Sequence, residues 1–99
     1  MEKKGIVNNF TTDEYFLDDN YPNPFNPVTT IKYILKESGL VSLKVFDNLG
    51  NEVANLVNEV KPEGIFEVKF DASKLPSGVY IYSIRVNDFV QNQKMILLK

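Results

Sequence analysis

The stretch "VYIYSIRVN", Val79 to Asn87, decides the fold. Tyr80, Tyr82, Ile84 and Val86 fall on one face at a spacing of two, and Ser83 and Arg85 share the other. That is the period of a half-buried β-strand. Asn87 and Asp88 follow as a two-residue hairpin turn. "FVQNQKMILLK" returns as the last strand, with Met95 and Leu97 inward. Upstream, "ASKLPSG" is a longer connection, and "IFEVKFD" places Phe66, Val68 and Phe70 on one face with Glu67 and Lys69 outward. Phe66, Val68, Leu43, Tyr80, Tyr82 and Ile84 are the expected core.

The same alternation continues towards the N-terminus. Val41, Leu43 and Val45 alternate with Ser42 and Lys44. Ile31, Tyr33 and Leu35 share a face, Thr30 and Lys32 take the other, and Ile34 is the exception. "KESG" and "DNLGN" punctuate as turns. "EVANLVNEV" is ambiguous: Val53, Leu56, Val57 and Val60 fit a helix, while alternation puts Val53 and Val57 on one strand face. Shortness, Asn55 and Asn58 favour a strand. Tyr15 to Leu17 makes a short first strand. About seven strands with turn signals roughly every 8–12 residues predict an all-β, immunoglobulin-like antiparallel β-sandwich. The Cys…Trp…Cys framework of antibody domains is absent. Residues 1–14 read as a polar linker from a larger parent chain, mobile to about Asp13, and residues 15–99 as the domain. Asn9 opens a short glycosylation sequon of little specificity.

Composition narrows the function. The 99 residues carry 11 basic and 13 acidic side chains, a net charge of −2, with 43% apolar and 24% charged residues. No basic patch suggests nucleic acid. Cysteine and histidine are absent, which removes thiolate nucleophiles, imidazole acid–base chemistry and nearly all zinc sites. No nucleophile–base constellation stands out, so the expectation is a non-catalytic domain without a cofactor. Asp18, Asp19 and Asp88 lack calcium-loop spacing. Apolar runs fall short of the ~20 residues that span a bilayer.

One segment needs its own account. "NYPNPFNP", Asn20 to Pro27, holds three prolines directly before a strand. Proline fixes φ, lacks a donor and restricts its predecessor, so Pro22, Pro24 and Pro27 stiffen the segment and bar it from a central strand. It is expected to run extended, near polyproline II. Asn20, Asn23 and Asn26 suit Asx turns, and Tyr21 and Phe25 can plug the end of the sandwich. A docked proline-rich ligand is the competing reading, without a regular P-x-x-P pattern.

"NYPNPFNPVTTIKYIL" resembles the opening of the C-terminal sorting domain of the type IX secretion system. The resemblance continues in order. "VSLKVFDNLGNEVANLV" is similar to the family's strand, D-x-x-G turn with Gly50, and strand. "LPSGVYIYSIRV" resembles its S-G-x-Y block at Ser77, Gly78 and Tyr80. "QKMILLK" resembles its ending, at Lys94, Met95 and Lys99. Family members often have a small residue before glycine and a tryptophan where this chain has Glu63-Gly64 and Phe70. A related domain occurs in flagellar hook-cap proteins, and the ending at Lys99 favours the sorting domain.

The resemblance implies an address behind an N-terminal passenger. Its partners would be an outer-membrane translocon and a sortase-like processing enzyme. Its route would be the periplasm in transit, then the cell surface or the medium. The last strand is expected at or near a sheet edge, its end available to a partner. Plain readings stand beside this: Gly78 as a turn glycine and Lys94 and Lys99 as edge-strand lysines that discourage strand addition. An immunoglobulin-like spacer or a surface- or glycan-binding module is the alternative function.

Overall fold

The computed structural model describes residues 14–99. Most of the 1–14 linker, and the Asn9 sequon, lie outside the described residues. Seven strands follow in order: β1 Phe16–Leu17, β2 Val28–Leu35, β3 Gly39–Asp47, β4 Glu52–Lys61, β5 Gly64–Asp71, β6 Gly78–Val86 and β7 Phe89–Leu97. They form two sheets, ordered β1-β2-β5 and β4-β3-β6-β7, and every strand pairing within them is antiparallel. This is an immunoglobulin-like β-sandwich.

The alternating residues become its core. Ile31, Tyr33 and Leu35 from β2 face Val41, Leu43 and Val45 from β3, Tyr80, Tyr82, Ile84 and Val86 from β6, and Met95 and Leu97 from β7, all buried. Burying each such side chain contributes about 1.5–3 kcal/mol before conformational entropy opposes it. Ile34 breaks the pattern because it faces outward between Phe16 and Ile65, its neighbours on β1 and β5. The Asn87–Asp88 turn closes the β6–β7 hairpin with Asn87 at φ 53°. Its side-chain amide donates to the Tyr15 hydroxyl at 2.7 Å and to the Ser38 carbonyl at 3.2 Å.

β4 is a strand, and its helix-like spacing has a structural cause. Val57 opposes Leu43, but Asn55 opposes Lys44, so Leu56 is an extra residue. Ala54 opposes Val45 and Glu52 opposes Phe46, so Val53 is another. Each extra residue shifts the inward face by one position. Val60, the last member of the apparent helix stripe, is 72% exposed.

Phe66 and Val68 correct one expectation. They are half-buried rather than largely buried. β5 and β4 are edge strands of different sheets, and the sandwich gapes between them. A cleft of about 220 Å³ there is lined by Tyr33, Val57, Glu59, Lys61, Phe66 and Val68, among others. Val41 and Gly39 pair with Glu59 and Lys61, so both charges sit on the inward side of β4. Lys61 Nζ lies 2.6 Å from Glu59 Oε2 and 5.4 Å from the Phe66 ring centroid. Inward-pointing charges of this kind keep an edge strand from pairing with another chain.

Candidate functional site

The chain runs up and down, so each sandwich end gathers a fixed set of connections. β2 begins, β3 ends, β5 ends, β6 begins and β7 ends at the same pole. All four motif blocks therefore meet there, although they are far apart in sequence.

The proline-rich block is built from Asn20 outward. Asn20 is 3% exposed, and its amide donates to the Pro22 carbonyl at 3.1 Å and to Thr29 Oγ1 at 3.0 Å. The Thr29 hydroxyl donates to the same Pro22 carbonyl at 2.8 Å. The Tyr21 backbone exchanges two hydrogen bonds with Thr30, at 2.9 and 3.0 Å. The chain then bends at residues 22–24 and again at 26 and 27. The run is thus a series of bends, correcting the expectation of an extended polyproline II segment. Its three X–Pro peptide bonds are cis. The bends separate its two aromatics. Phe25 enters the core, 2% exposed, its ring centroid 6.2 Å from that of Phe70. Tyr21 is 80% exposed, so Phe25 plugs the sandwich and Tyr21 does not. Asn26 faces solvent, and the Pro27 carbonyl accepts from Ala72 N–H at 2.8 Å.

Phe25 also holds the last strand. It forms a parallel bridge to Leu97. Its N–H donates to the Ile96 carbonyl at 2.9 Å, and its carbonyl accepts from Leu98 N–H at 3.0 Å. Asn23 Oδ1 accepts from Ile96 N–H at 3.0 Å. β7 is at a sheet edge, as expected, but its end is covered by these contacts. Met95 and Leu97 are buried, while Lys94 is exposed. Beyond β7, Lys99 N–H donates to Ser77 Oγ at 2.9 Å, and Lys99 Nζ donates to the Ser73 carbonyl at 2.6 Å.

The S-G-x-Y block lies beside that end. Gly78 pairs with Leu97; a Cβ there would meet nothing within 4 Å, so it is the backbone, at φ +158°, rather than a close approach that favours glycine. The Tyr80 hydroxyl donates to the Pro76 carbonyl at 2.6 Å. This is a tyrosine corner, a backbone-anchoring contact of immunoglobulin-like sandwiches near the start of the equivalent strand. The sequence reading missed it; the signal was a tyrosine shortly after a proline-containing turn. Asp47 pairs with Tyr80 across the sheet and organises the next turn. Its Oδ1 accepts from Leu49 and Asn51 N–H, both at 2.9 Å. The Asn51 backbone N–H is the main cause holding the Asp47 carboxyl below its ordinary value, helped by the Asn51 side chain and the backbone of Leu49 and Gly50. Gly50 sits at φ +91°, where a side chain is strained.

A second set of contacts ties the sheets together. Gln93 Nε2 donates to the Leu17 carbonyl at 3.0 Å, and Gln91 Oε1 accepts weakly from Leu17 N–H at 3.4 Å. The buried Tyr82 hydroxyl donates to the Asp18 carbonyl at 2.7 Å. Burial is the main cause raising the Tyr82 pKa far above its ordinary value.

The pole thus offers a strand end, a turn, exposed Tyr21 and Lys94, and carbonyl and hydroxyl groups. No helix among the described residues is long and apolar enough to cross a membrane. No curated protein matches the chain. A family model described as the secretion system C-terminal sorting domain matches residues 19–98. The matched span takes in the blocks that meet at the pole as far as Leu98, and the chain belongs to this family of type IX secretion sorting domains.

Proposed function

We propose that the domain is an export address for a passenger protein joined to its N-terminal side. The address is read at the pole by the outer-membrane translocon, after transit through the periplasm. A sortase-like enzyme then removes the domain as the passenger is anchored or released. Convergence of the four blocks supports this reading: Asn23 and Phe25 bond to Ile96 and Leu98, Lys99 bonds to Ser77, and the Asp47–Asn51 turn is tied to the same end through the Asp47–Tyr80 pairing. A spacer has no need to gather separate segments in this way. A glycan-binding platform would need several exposed rings, whereas Phe25, Tyr33, Phe70, Tyr80 and Tyr82 are buried.

The test is export of a reporter. A periplasm-directed reporter fused ahead of this chain should reach the cell surface or the medium in a host with the type IX machinery. In a host lacking the translocon it should remain periplasmic. Equal export in both hosts would remove the address reading.

A further inference from the structure

Ladder groups alternate along an antiparallel strand, so every second residue of an edge strand points its N–H and C=O away from its neighbour. In β7 the outward set includes Ile96, and it continues past the strand to Leu98, because Phe25 and Asn23 bond these two from the side opposite β6. By the same alternation, Asn92 and Lys94 also point their backbone groups outward. No strand among the described residues hydrogen-bonds to them, since β7 ends its sheet; β1 comes near through Leu17, which bonds the Gln91 and Gln93 side chains. The edge therefore has two halves: open at Asn92 and Lys94, and closed at Ile96 and Leu98.

The closure imitates a strand with little of one. Phe25 supplies a single parallel residue, donating and accepting once each. Asn23 supplies its side-chain oxygen in place of a main-chain carbonyl. The Phe25 ring fills a core socket beside Phe70. Exposed bends flank the bridge on both sides, so the buried ring and this single bridge hold Phe25, and a partner that supplies both could replace it.

We propose that Asn23 and Phe25 form a displaceable clasp on a strand-addition site. The occupant is an extended partner segment running parallel to the end of β7. It carries an aromatic or large apolar residue opposite Leu97. It would pair first with the open edge at Asn92 and Lys94, then replace Phe25 at Ile96 and Leu98. The exchange conserves hydrogen bonds and adds new ones at the open half. In the folded domain the clasp keeps the end of β7 from pairing with unrelated chains. The inference rests on the export-address reading and names how that address is engaged.

Amide hydrogen exchange on the whole chain tests the clasp. Leu98 N–H should be protected relative to Lys94 N–H. Asn23→Ala removes one hydrogen bond of the clasp without emptying the core socket. It should speed Leu98 exchange by roughly fivefold, the factor expected for one ordinary hydrogen bond, and leave Leu97 N–H unchanged. Equal exchange of Leu98 and Lys94 in the parent chain would overturn the clasp.

Pulse-chase export of the reporter fusion tests displacement. Asn23→Ala should raise the export rate, by up to roughly fivefold where clasp opening limits it. Ile84→Val, a core deletion of similar cost to stability, should not raise it. An unchanged or reduced rate in Asn23→Ala means the clasp is structural only and overturns the inference. Deleting Lys94 to Lys99 separates the two readings. Export that survives the deletion overturns the address reading; export lost on deletion but not raised by Asn23→Ala overturns the clasp alone.

Discussion

Phe25 brackets Leu97 from the side, taking a hydrogen bond from the residue after it and giving one to the residue before it. Phe25 belongs to the proline-rich block and Leu97 to the last strand. Two motifs at opposite ends of the domain are therefore one structural unit. This answers why a stiff, donor-poor segment precedes β2: its bends deliver one aromatic residue to the end of β7.

Phe25→Ala should therefore cost about 3–5 kcal/mol of stability, as for other buried phenylalanines, and abolish protection of Leu98 N–H. Tyr21→Ala, at an exposed ring, should cost under about 0.5 kcal/mol. Urea denaturation of both variants checks this. Similar midpoints would mean that the two aromatics do not differ as described.

Tyr80→Phe should remove the bond to Pro76 and little else, costing about 0.5–1.5 kcal/mol. A variant as stable as the parent would show that the corner contributes nothing.

Legibility followed the physics of each element. β6 and β2 were readable because their inward residues, Tyr80, Tyr82, Ile84 and Val86 and Ile31, Tyr33 and Leu35, recur at a spacing of two without a break. β4 was ambiguous because the extra residues Val53 and Leu56 disturb its period. Burial of Phe66 and Val68 was overestimated because alternation reports a face, while closure depends on whether β4 and β5 meet across the sandwich. Tyr21 and Phe25 look equivalent in sequence; only the path of the bends separates them. The Phe25–Leu97 bridge has no local signature. The family resemblance named both segments without indicating that they touch.

Asp47 gives a pH dependence of known sign. Its carboxyl is held below the ordinary value of 3.8 by hydrogen bonds made in the folded turn. Its contribution to stability is complete above that value and is lost as pH falls through the lower folded value. Asp47→Asn should therefore lose less stability than the parent between about pH 5 and about pH 2. Identical pH profiles would contradict this.

The inward charges of β4 make a prediction about association. Replacing Glu59 and Lys61 together by valine should remove the inward charges from this edge strand. Light scattering across a concentration series should then show more self-association than in the parent chain. Indistinguishable behaviour would mean that the charges do not protect this edge.

The central claim is that recognition resides at the pole where the four blocks meet. It is tested most directly by placing one small folded tag at either end of the sandwich and measuring reporter export. Attached after Lys99, the tag lies against the pole. Inserted between Glu37 and Ser38, in the exposed β2–β3 turn, it lies at the opposite end. The account predicts that the tag after Lys99 blocks export while the domain stays folded, and that the tag at Glu37–Ser38 leaves export near the parent level. Export blocked only by the tag at Glu37–Ser38, or unaffected by the tag after Lys99, would contradict it.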